Sequence, residues 1–288
     1  MTSLDLRVAA FALAALAVGH GTYFSLQHST YLDTSNPFLT SQAHPLASAH
    51  IFASKRSFLN LIFLKWSWAW STGAFITLLV SARRRVRRLL QWVLATLAWS
   101  ACAVSFWFGG PSIFARLATA SGAECGLHLG PASFVPIPAS FCTAGVPVTR
   151  AVNPELFPLV FGVVDEMMEL ERKFVPRLRS GHDVSGHVFL LTLGTLFLAD
   201  QMRQTRATAH VYARVAVGAV IMLWVFSLWI TSVYFHSPAE KISGFCTWQL
   251  FLPTYPSHLP NSYFFFPHSH RTRIFCIFTN PPMVLNKT

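Results

Sequence analysis

The sequence predicts an all-α polytopic membrane protein with five to six transmembrane helices, one long lumenal loop and an atypical C-terminal tail. Of its 288 residues, 53% are hydrophobic and only 11% are charged. An ordinary soluble domain contains roughly 25% charged residues, so this composition favours a membrane protein over a large soluble core. Several apolar runs also approach the roughly 20 residues that a helix needs to cross the hydrocarbon of a bilayer.

Five apolar runs are candidate spans. They cover residues 8–24, 58–80, 89–108, 184–200 and 211–235. The second, third and fifth are long enough to cross a bilayer, whereas the fourth is short unless it extends at one end. The first is interrupted by His20 and has a second interpretation as a cleaved signal peptide, because a basic residue precedes a short apolar stretch that ends in small residues.

Basic residues orient these spans. The sequence RRRVRR at 83–88 lies between the second and third spans, and Arg203 and Arg206 lie between the fourth and fifth. Short positively charged loops stay in the cytosol, so both loops require that segments 28–56 and 109–183 face the lumen. This topology signal also explains the basic cluster without a nucleic-acid partner, and we expect none.

The long loop 109–183 contains prolines and glycines with little periodicity, and we predict no regular structure for it. It holds Cys125 and Cys142, which would be able to form a disulfide if the loop faces an oxidising lumen. None of the five cysteines shows CxxC spacing.

In this topology, the N-terminus of the fourth span and the C-terminus of the fifth reach the same lumenal surface. The first carries GHDVSGH at 181–187, and the second carries YFHSPAEK at 234–241. Antiparallel neighbours joined by a short loop normally pack together. We therefore predict that His187 and His236 are adjacent in space although they are 49 residues apart in the chain.

This surface has the residue types that phosphate binding requires. A helix N-terminus presents free N–H groups and the positive end of a dipole, which makes Ser185 and Gly186 candidate phosphate ligands. Arg177 and Arg179 lie just upstream and would add fixed positive charge. An equally good interpretation is that these arginines contact lipid headgroups.

The two histidines are candidates for the chemistry itself. His187 is a candidate proton donor to a leaving oxygen, because an imidazole titrates near neutral pH. His236 is a candidate nucleophile. Glu240 lies four residues later and would orient the His236 ring if the helix continues. Pro238 weakens that geometry, although proline is tolerated in the first turn of a helix.

Other interpretations of the same residues remain open. A single interfacial histidine is commonly just a polar tip at the membrane boundary. Asp183 is better explained as the N-cap of the fourth span than as a catalytic group. A metal site formed by His182, Asp183, His187 and His236 is conceivable, but the signature H-E-x-x-H and zinc-type Cys/His spacing are absent, so we expect no metal and no other cofactor.

The second span contains a further anomaly, because Asn60 and Lys65 lie inside an apolar stretch that is followed by three tryptophans. An ionisable residue within a span is by default a candidate for a functional site. The alternative for Lys65 is that its long side chain snorkels to the membrane surface. We retain both residues as candidates for substrate binding.

Three separated motifs resemble the fat storage-inducing transmembrane (FIT) family, in its fungal-type branch. They are FLNLIFLKWSWAW, GHDVSGHVFLLTLG and YFHSPAEKISG, in this order, within residues 50–244. The resemblance implies an endoplasmic-reticulum membrane protein with six spans and a lumenal active site, which supports lipid-droplet biogenesis and lipid balance. It also implies a fatty acyl-CoA diphosphatase, distantly similar to lipid phosphate phosphatases, with His187 and His236 as the catalytic pair.

The chain departs from the phosphatase pattern at several points. Val184 replaces the proline of Pro-Ser-Gly-His, the Lys-x6-Arg-Pro motif is not found, and Glu240 stands where an aspartate is usual. Residues 1–244 form the FIT-like domain, whereas residues 245–288 are rich in proline and phenylalanine. Prolines so spaced cannot form a continuous sixth span.

These expectations give a leading hypothesis and a rival. The leading hypothesis is cleavage of the CoA diphosphate to acyl 4′-phosphopantetheine and adenosine 3′,5′-bisphosphate, with the acyl chain lying between spans near Asn60 and Lys65. The rival is a protein without enzymatic activity that binds diacylglycerol or triacylglycerol during droplet budding.

Overall fold

The computed structural model describes most of the chain in separate stretches. These are residues 5–32, 43–80, 82, 84–103, 111–128, 134–144, 147–149, 152–153, 156, 173–205 and 211–248. Its α-helices are α1 (Leu6–His28), α2 (Ser67–Val80), α3 (Arg85–Ala103), α4 (Ile113–Ala120), α5 (Ala139–Ala144), α6 (Gly186–Arg203), α7 (Val211–Tyr234) and α8 (Pro238–Thr247). Its strands are β1 (Glu124–His128), β2 (Phe134–Pro136) and β3 (Arg177–Arg179).

A helical segment lies at each of the five positions predicted to span the membrane. Two of them, α1 and α7, are long and apolar enough to cross a bilayer by length and composition, and α2 is a shorter apolar helix. The interval 104–108 at the end of the third predicted span, like Arg83 and Arg206, lies outside the described residues.

The second predicted span is divided rather than continuous. A π-helix over Leu59–Leu64 precedes α2, so the backbone N–H of Lys65 donates to the carbonyl of Asn60, five residues back. The indole of Trp70 donates to the Ile62 carbonyl at 2.9 Å. This bond satisfies a backbone acceptor near the irregular turn, as an apolar environment requires.

Helices α1, α2, α6 and α7 pack around one apolar core that includes Phe75, Phe189 and Trp224. Polar contacts also join these helices inside the core. The Trp224 indole donates to the Ser71 hydroxyl at 3.0 Å, and Gly194 lies directly beside that hydroxyl. A small residue at this position lets the helix backbones approach closely, which is typical of packing between transmembrane helices.

Contacts between helix termini define two ends of the bundle. At one, which we call the arginine end, Arg7 of α1 pairs with Asp200 near the end of α6, and Arg88 of α3 donates to Thr205. At the other, the histidine end, Thr30 after α1 donates to Val233 at the end of α7. The basic loops therefore share one end, as the sequence predicts.

A small antiparallel sheet departs from the all-α prediction. Strand β1 lies between β2 and β3, and a disulfide joins Cys125 of β1 to Cys142 of α5. The strands are three to five residues long, too short to show an alternating pattern within this proline-rich loop. The predicted disulfide is confirmed.

The C-terminal boundary also differs from the prediction. Helix α8 continues through Gly244 to Thr247, so the helical domain does not end at residue 244. Phe245 and Trp248 pack against Phe11 of α1 with ring centroids 5.6 Å apart in each case. The rest of the predicted tail, residues 249–288, lies outside the described residues.

Candidate active site

The turn between α7 and α8 determines the position of His236. The backbone of His236 is left-handed, with a φ of 63°. Histidine occurs in this region more often than most residues other than glycine, but the conformation still requires support from its surroundings. Here the support comes from Leu32, whose N–H donates to the Tyr234 carbonyl at 3.1 Å and which pairs with Phe235.

His44, in the loop after α1, contacts the same turn through hydrogen bonds. Its Nδ1 accepts the N–H of Leu46 at 3.1 Å, so the other nitrogen carries the hydrogen in the neutral ring. That Nε2 lies 3.1 Å from the Thr30 carbonyl and 3.0 Å from the Tyr234 carbonyl. Burial is the main cause that lowers the pKa of His44, and the charge of Lys55 acts in the same direction.

Glu240 contacts His236 as predicted, but it does so from a separate helix rather than from a continuation of α7. Helix α7 ends at Tyr234, and α8 begins at Pro238 with Ser237 as its N-cap. Glu240 completes a capping box by accepting the Ser237 N–H at 2.8 Å. The same oxygen, Oε2, lies 3.4 Å from Nδ1 of His236, and Glu240 is buried.

The first turn of α6 packs against α8. The Ser185 hydroxyl accepts the N–H of Val188, so Ser185 and not Asp183 is the N-cap of this helix. The Ser185 N–H donates to the Glu240 carbonyl at 3.2 Å. A Cβ on Gly244 would lie 2.5 Å from the Ser185 carbonyl oxygen, so only glycine allows α8 to approach this closely.

These contacts correct two predictions. The sequence predicts Ser185 as a phosphate ligand, but Ser185 is fully buried and its hydroxyl caps the helix. Asp183, the predicted cap, is instead exposed beside the catalytic candidates. Gly186 fits its predicted role better, because no heavy atom lies within 4 Å of a Cβ built there. Packing does not require this glycine, and the helix N-terminus is open to a ligand.

The structure brings His187, Asp183 and His236 to one surface. His187 is exposed in the first turn of α6, close enough to His236 for their charges to interact. The two histidines therefore reach the same surface, while their contact with one phosphate stays a prediction. Their roles in catalysis stay predictions.

Asp183 has an unusual electrostatic environment. Crowding by the surrounding protein is the largest cause that raises the pKa of its carboxyl, although the residue as a whole remains exposed. The charge of Glu240 raises the pKa further, whereas His236 and His182 lower it.

Three donor atoms at this surface are arranged so that they could hold a metal ion. One ligand atom each from Asp183, His236 and Glu240 lies within 4.8 Å of the other two. However, Glu240 Oε2 already contacts both His236 and the Ser237 N–H. The expectation of no metal remains a prediction, which a chelator can test.

The remaining predicted ligands lie elsewhere. Arg177 and Arg179 are exposed on β3, and Arg179 lies over the Phe134 ring at 5.0 Å. Asn60 donates to the Ser54 carbonyl and thus anchors a loop, whereas Lys65 is exposed at the end of the π-helix. The predicted binding of the acyl chain near Asn60 and Lys65 stays a prediction.

Lys241 lies next to Glu240 and joins α8 to α1, but it was not identified from the sequence. Its side chain is fully buried, donates to the Ser25 hydroxyl at 2.9 Å and lies 5.1 Å from the Tyr31 ring centroid. A cation is favourable beside the C-terminal turn of α1, because that end of a helix is negative. Lysine directly after the predicted orienting residue Glu240 was the available signal.

Comparisons with known proteins identify the family of this chain. The family model described as fat storage-inducing transmembrane protein matches residues 48–215 and 199–252, well over half of the chain. The chain belongs to this FIT family. Its membership establishes a transmembrane protein, and both helices of the candidate site, α6 and α7, lie within the matched region.

Curated FIT relatives carry names that state an activity. The chain is 27% identical over 201 residues to acyl-coenzyme A diphosphatase fit1 of Schizosaccharomyces pombe, covering 67% of this chain and 68% of that protein. It is 24% identical over 216 residues to acyl-coenzyme A diphosphatase FITM2 of Homo sapiens, covering 72% and 71%, respectively. The match to FITM2 of Danio rerio is 25% over 207 residues. No solved structure matches the chain.

Proposed function

We propose that this chain is an acyl-CoA diphosphatase of the endoplasmic-reticulum membrane, with its active site facing the lumen. The substrate is a fatty acyl-CoA, and the bond broken is the P–O bond of the CoA diphosphate. The products are acyl 4′-phosphopantetheine and adenosine 3′,5′-bisphosphate. The activity in the names of the curated FIT relatives supports this assignment.

The first chemical step forms a bond between His236 and phosphorus. Glu240 holds Nδ1 of His236 with its hydrogen, which leaves the lone pair of Nε2 for attack on one phosphorus. The bond from that phosphorus to the bridging oxygen breaks, and His187 gives its proton to the departing phosphate. The step leaves a phosphohistidine at position 236 and a neutral His187.

The second step restores the enzyme. Water attacks the phosphohistidine, and the neutral His187 takes the proton of the water. The P–N bond breaks, so His236 returns to its starting state and His187 is again protonated. Every proton is accounted for by the two imidazoles and one water molecule.

The surroundings of His236 are the observation that most strongly supports this proposal. His236 stands in a left-handed turn, backed by the buried carboxylate of Glu240, within electrostatic range of the exposed His187 from another helix. The N-terminus of α6 at Gly186 directly precedes His187 and offers N–H groups to a phosphate. Arg177 and Arg179 are proposed to draw the anionic substrate toward this end without direct contact.

The topology of the proposal follows from charge and from the disulfide. The cytosol is assigned to the arginine end, because short basic loops remain there. The lumen is assigned to the histidine end, where the Cys125–Cys142 disulfide suits an oxidising compartment. Five helical segments cross the bilayer in this assignment.

Turnover of acyl-CoA by the purified protein tests the function. His187→Ala and His236→Ala are each expected to lower kcat/KM at least about 100-fold, because each removes proton transfer or attack. Release of adenosine 3′,5′-bisphosphate is the readout. Unchanged turnover in both variants would exclude the catalytic pair.

Neutral-lipid binding without catalysis is the second candidate function. It is favoured by an apolar groove of about 380 Å³ between α1 and α7. Binding of fluorescent diacylglycerol that survives in a protein without any diphosphatase activity would support this candidate. The diphosphatase function therefore predicts turnover of acyl-CoA, whereas the lipid-binding function predicts diacylglycerol binding without turnover in the same preparation.

A further inference from the structure

The groove between α1 and α7 plays no part in the chemistry described above. Its lining is apolar except for two polar side chains, His20 and Trp229. Leu16 and Met222 of the lining are 68% and 58% exposed. In a membrane these side chains face lipid tails, so the groove opens into the bilayer.

The contact between His20 and Trp229 determines which ring nitrogen of His20 carries the hydrogen. The Trp229 indole donates to Nδ1 of His20 at 2.9 Å. An indole can only donate, so Nδ1 of His20 is the acceptor and the hydrogen of the neutral ring lies on Nε2. His20 is exposed on its helix. An N–H group that meets hydrocarbon without a partner is costly, so this position favours a ligand with an acceptor oxygen.

The pair lies a short distance below the catalytic surface. Gly21 packs against Ser232 and Trp229, which places His20 at the same level as this part of α7. Trp229 precedes His236 by seven residues, which corresponds to about 10 Å along a helix. From His20 to Leu13 the groove descends by about another 10 Å toward the arginine end.

A loop connects the two places. Phe52 packs edge-on against Phe226 of the groove, with ring centroids 5.6 Å apart. The same loop carries His50, whose ring lies 6.0 Å from the Tyr234 ring, and His44, which binds the Tyr234 carbonyl. The rim of the groove and the turn that holds His236 therefore belong to one packed unit.

We propose that this groove binds the acyl-thioester end of the substrate. The His20 Nε2–H donates to the thioester carbonyl oxygen, and the acyl chain lies along the apolar lining toward the arginine end. The pantetheine arm spans the interval from the diphosphate at His236 down to His20. The inference rests on the proposed diphosphatase function and identifies the site that selects acylated substrates.

A second groove, of about 510 Å³, gives a useful contrast. It is lined by Met202, Val211, Arg214 and Val215, next to the arginine end. That position is almost a whole helix length from His236. The groove near the histidine end fits the substrate better because a single substrate molecule can reach both sites.

Two variants separate the donor from the apolar lining. His20→Leu removes the N–H, and Leu16→Trp fills the groove. Leu26→Trp is the matched control, because Leu26 is 52% exposed on the same helix but does not line the groove. Each variant is assayed as the full-length protein with oleoyl-CoA and with acetyl-CoA.

We expect His20→Leu to raise KM about tenfold for both substrates, because both contain the thioester carbonyl. Leu16→Trp should raise KM only for oleoyl-CoA, and kcat should change in neither variant. Leu26→Trp should behave like the wild type. Equal effects of Leu16→Trp and Leu26→Trp would overturn the proposal.

Photo-crosslinking tests the site independently of turnover. A fatty acyl-CoA with a diazirine in its chain is bound to His236→Ala, and the labelled peptides are sequenced. We expect labels within 13–20 and 222–229, removed by excess oleoyl-CoA. Labels elsewhere, or labels that only diacylglycerol displaces, would contradict the acyl site. If both histidine variants keep full turnover while the labels stay in place, the proposed chemistry fails but the binding site stands.

Discussion

The two ends of the helical bundle both contain buried polar side chains, but they arrange them differently. At the arginine end, Asp200 is paired with Arg7 and Arg203, and Gln201 donates to Gln91 at 2.9 Å. The carboxylate of Asp200 and the amide N–H of Gln201 have partners within the protein, whereas Gln201 Oε1 is buried without a hydrogen-bond partner in the described part of the chain. Such a network joins helices and leaves little capacity for a ligand.

At the histidine end, the buried groups support others that are exposed. Glu240 and Ser185 are buried and bonded, while His187 and Asp183 remain exposed beside them. A left-handed turn at His236 adds conformational strain, which in proteins is concentrated at functional sites. The comparison teaches that burial of polar groups alone does not indicate function; what indicates it is a buried support behind an accessible reactive atom.

The largest expected difference between the ends concerns activity. His187→Gln should reduce turnover at least about 100-fold and leave the melting temperature unchanged, because the side chain is exposed. Asp200→Asn should keep the activity per folded molecule but lower stability by about 1–2 kcal/mol through the lost ion pairs. Turnover and thermal unfolding in the same detergent measure both. If both variants lose activity while their stability is unchanged, the two ends do not differ in function as proposed.

Two glycines at the histidine end sharpen the comparison. Gly244→Ala should lower turnover about tenfold and reduce stability, because its Cβ would be 2.5 Å from the Ser185 carbonyl oxygen and must push α8 away. Gly186→Ala has open space and should fold normally. Its effect should appear in KM for acyl-CoA, where a methyl group hinders the approach of phosphate. A Gly244→Ala protein with normal kinetics would show that the α6–α8 contact does not position the site.

His44 predicts how stability depends on pH. Its pKa is lowered from 6.5 in the folded protein, so the unfolded chain binds a proton more readily below that pH. Stability from this group is fully present above about pH 6.5 and falls as the pH decreases toward the folded pKa. His44→Gln should therefore show a smaller loss of melting temperature between pH 7.5 and pH 5.5 than the wild type. An identical loss in the two proteins would refute this role.

The smallest expected effect is that of a chelator. EDTA should leave turnover undiminished, because Glu240 Oε2 lies 3.4 Å from Nδ1 of His236 and also accepts the Ser237 N–H. Activity that disappears with EDTA and returns with Mg²⁺ would instead identify Asp183, His236 and Glu240 as ligands. Prior incubation at several EDTA concentrations distinguishes a tightly held ion from none.

The helices and their relative ends were predictable from the sequence. Apolar runs and the two basic loops determine where helices lie and which termini meet, and this sufficed to bring His187 close to His236. The interaction of Glu240 with His236 was also predicted, although the reason differs. The sequence suggests one continuous helix, whereas a capping box at Ser237 starts a second helix.

Other features depend on tertiary contacts that no local pattern reveals. Ser185 and Asp183 are equally good N-caps by residue type, and the packing of Gly244 against Ser185 decides between them. His44 acts through carbonyls that are up to 190 residues away in sequence. The π-helix before α2 and the short sheet likewise have no distinctive periodicity.

The central claim is that His187 and His236 act on one phosphorus atom, and a double-variant cycle tests it most directly. Turnover is measured for the wild type, His187→Ala, His236→Ala and the double variant. We expect the double variant to be no slower than the slower single variant, because groups that act as a unit are not additive. Losses that multiply in the double variant would show that the two imidazoles act independently.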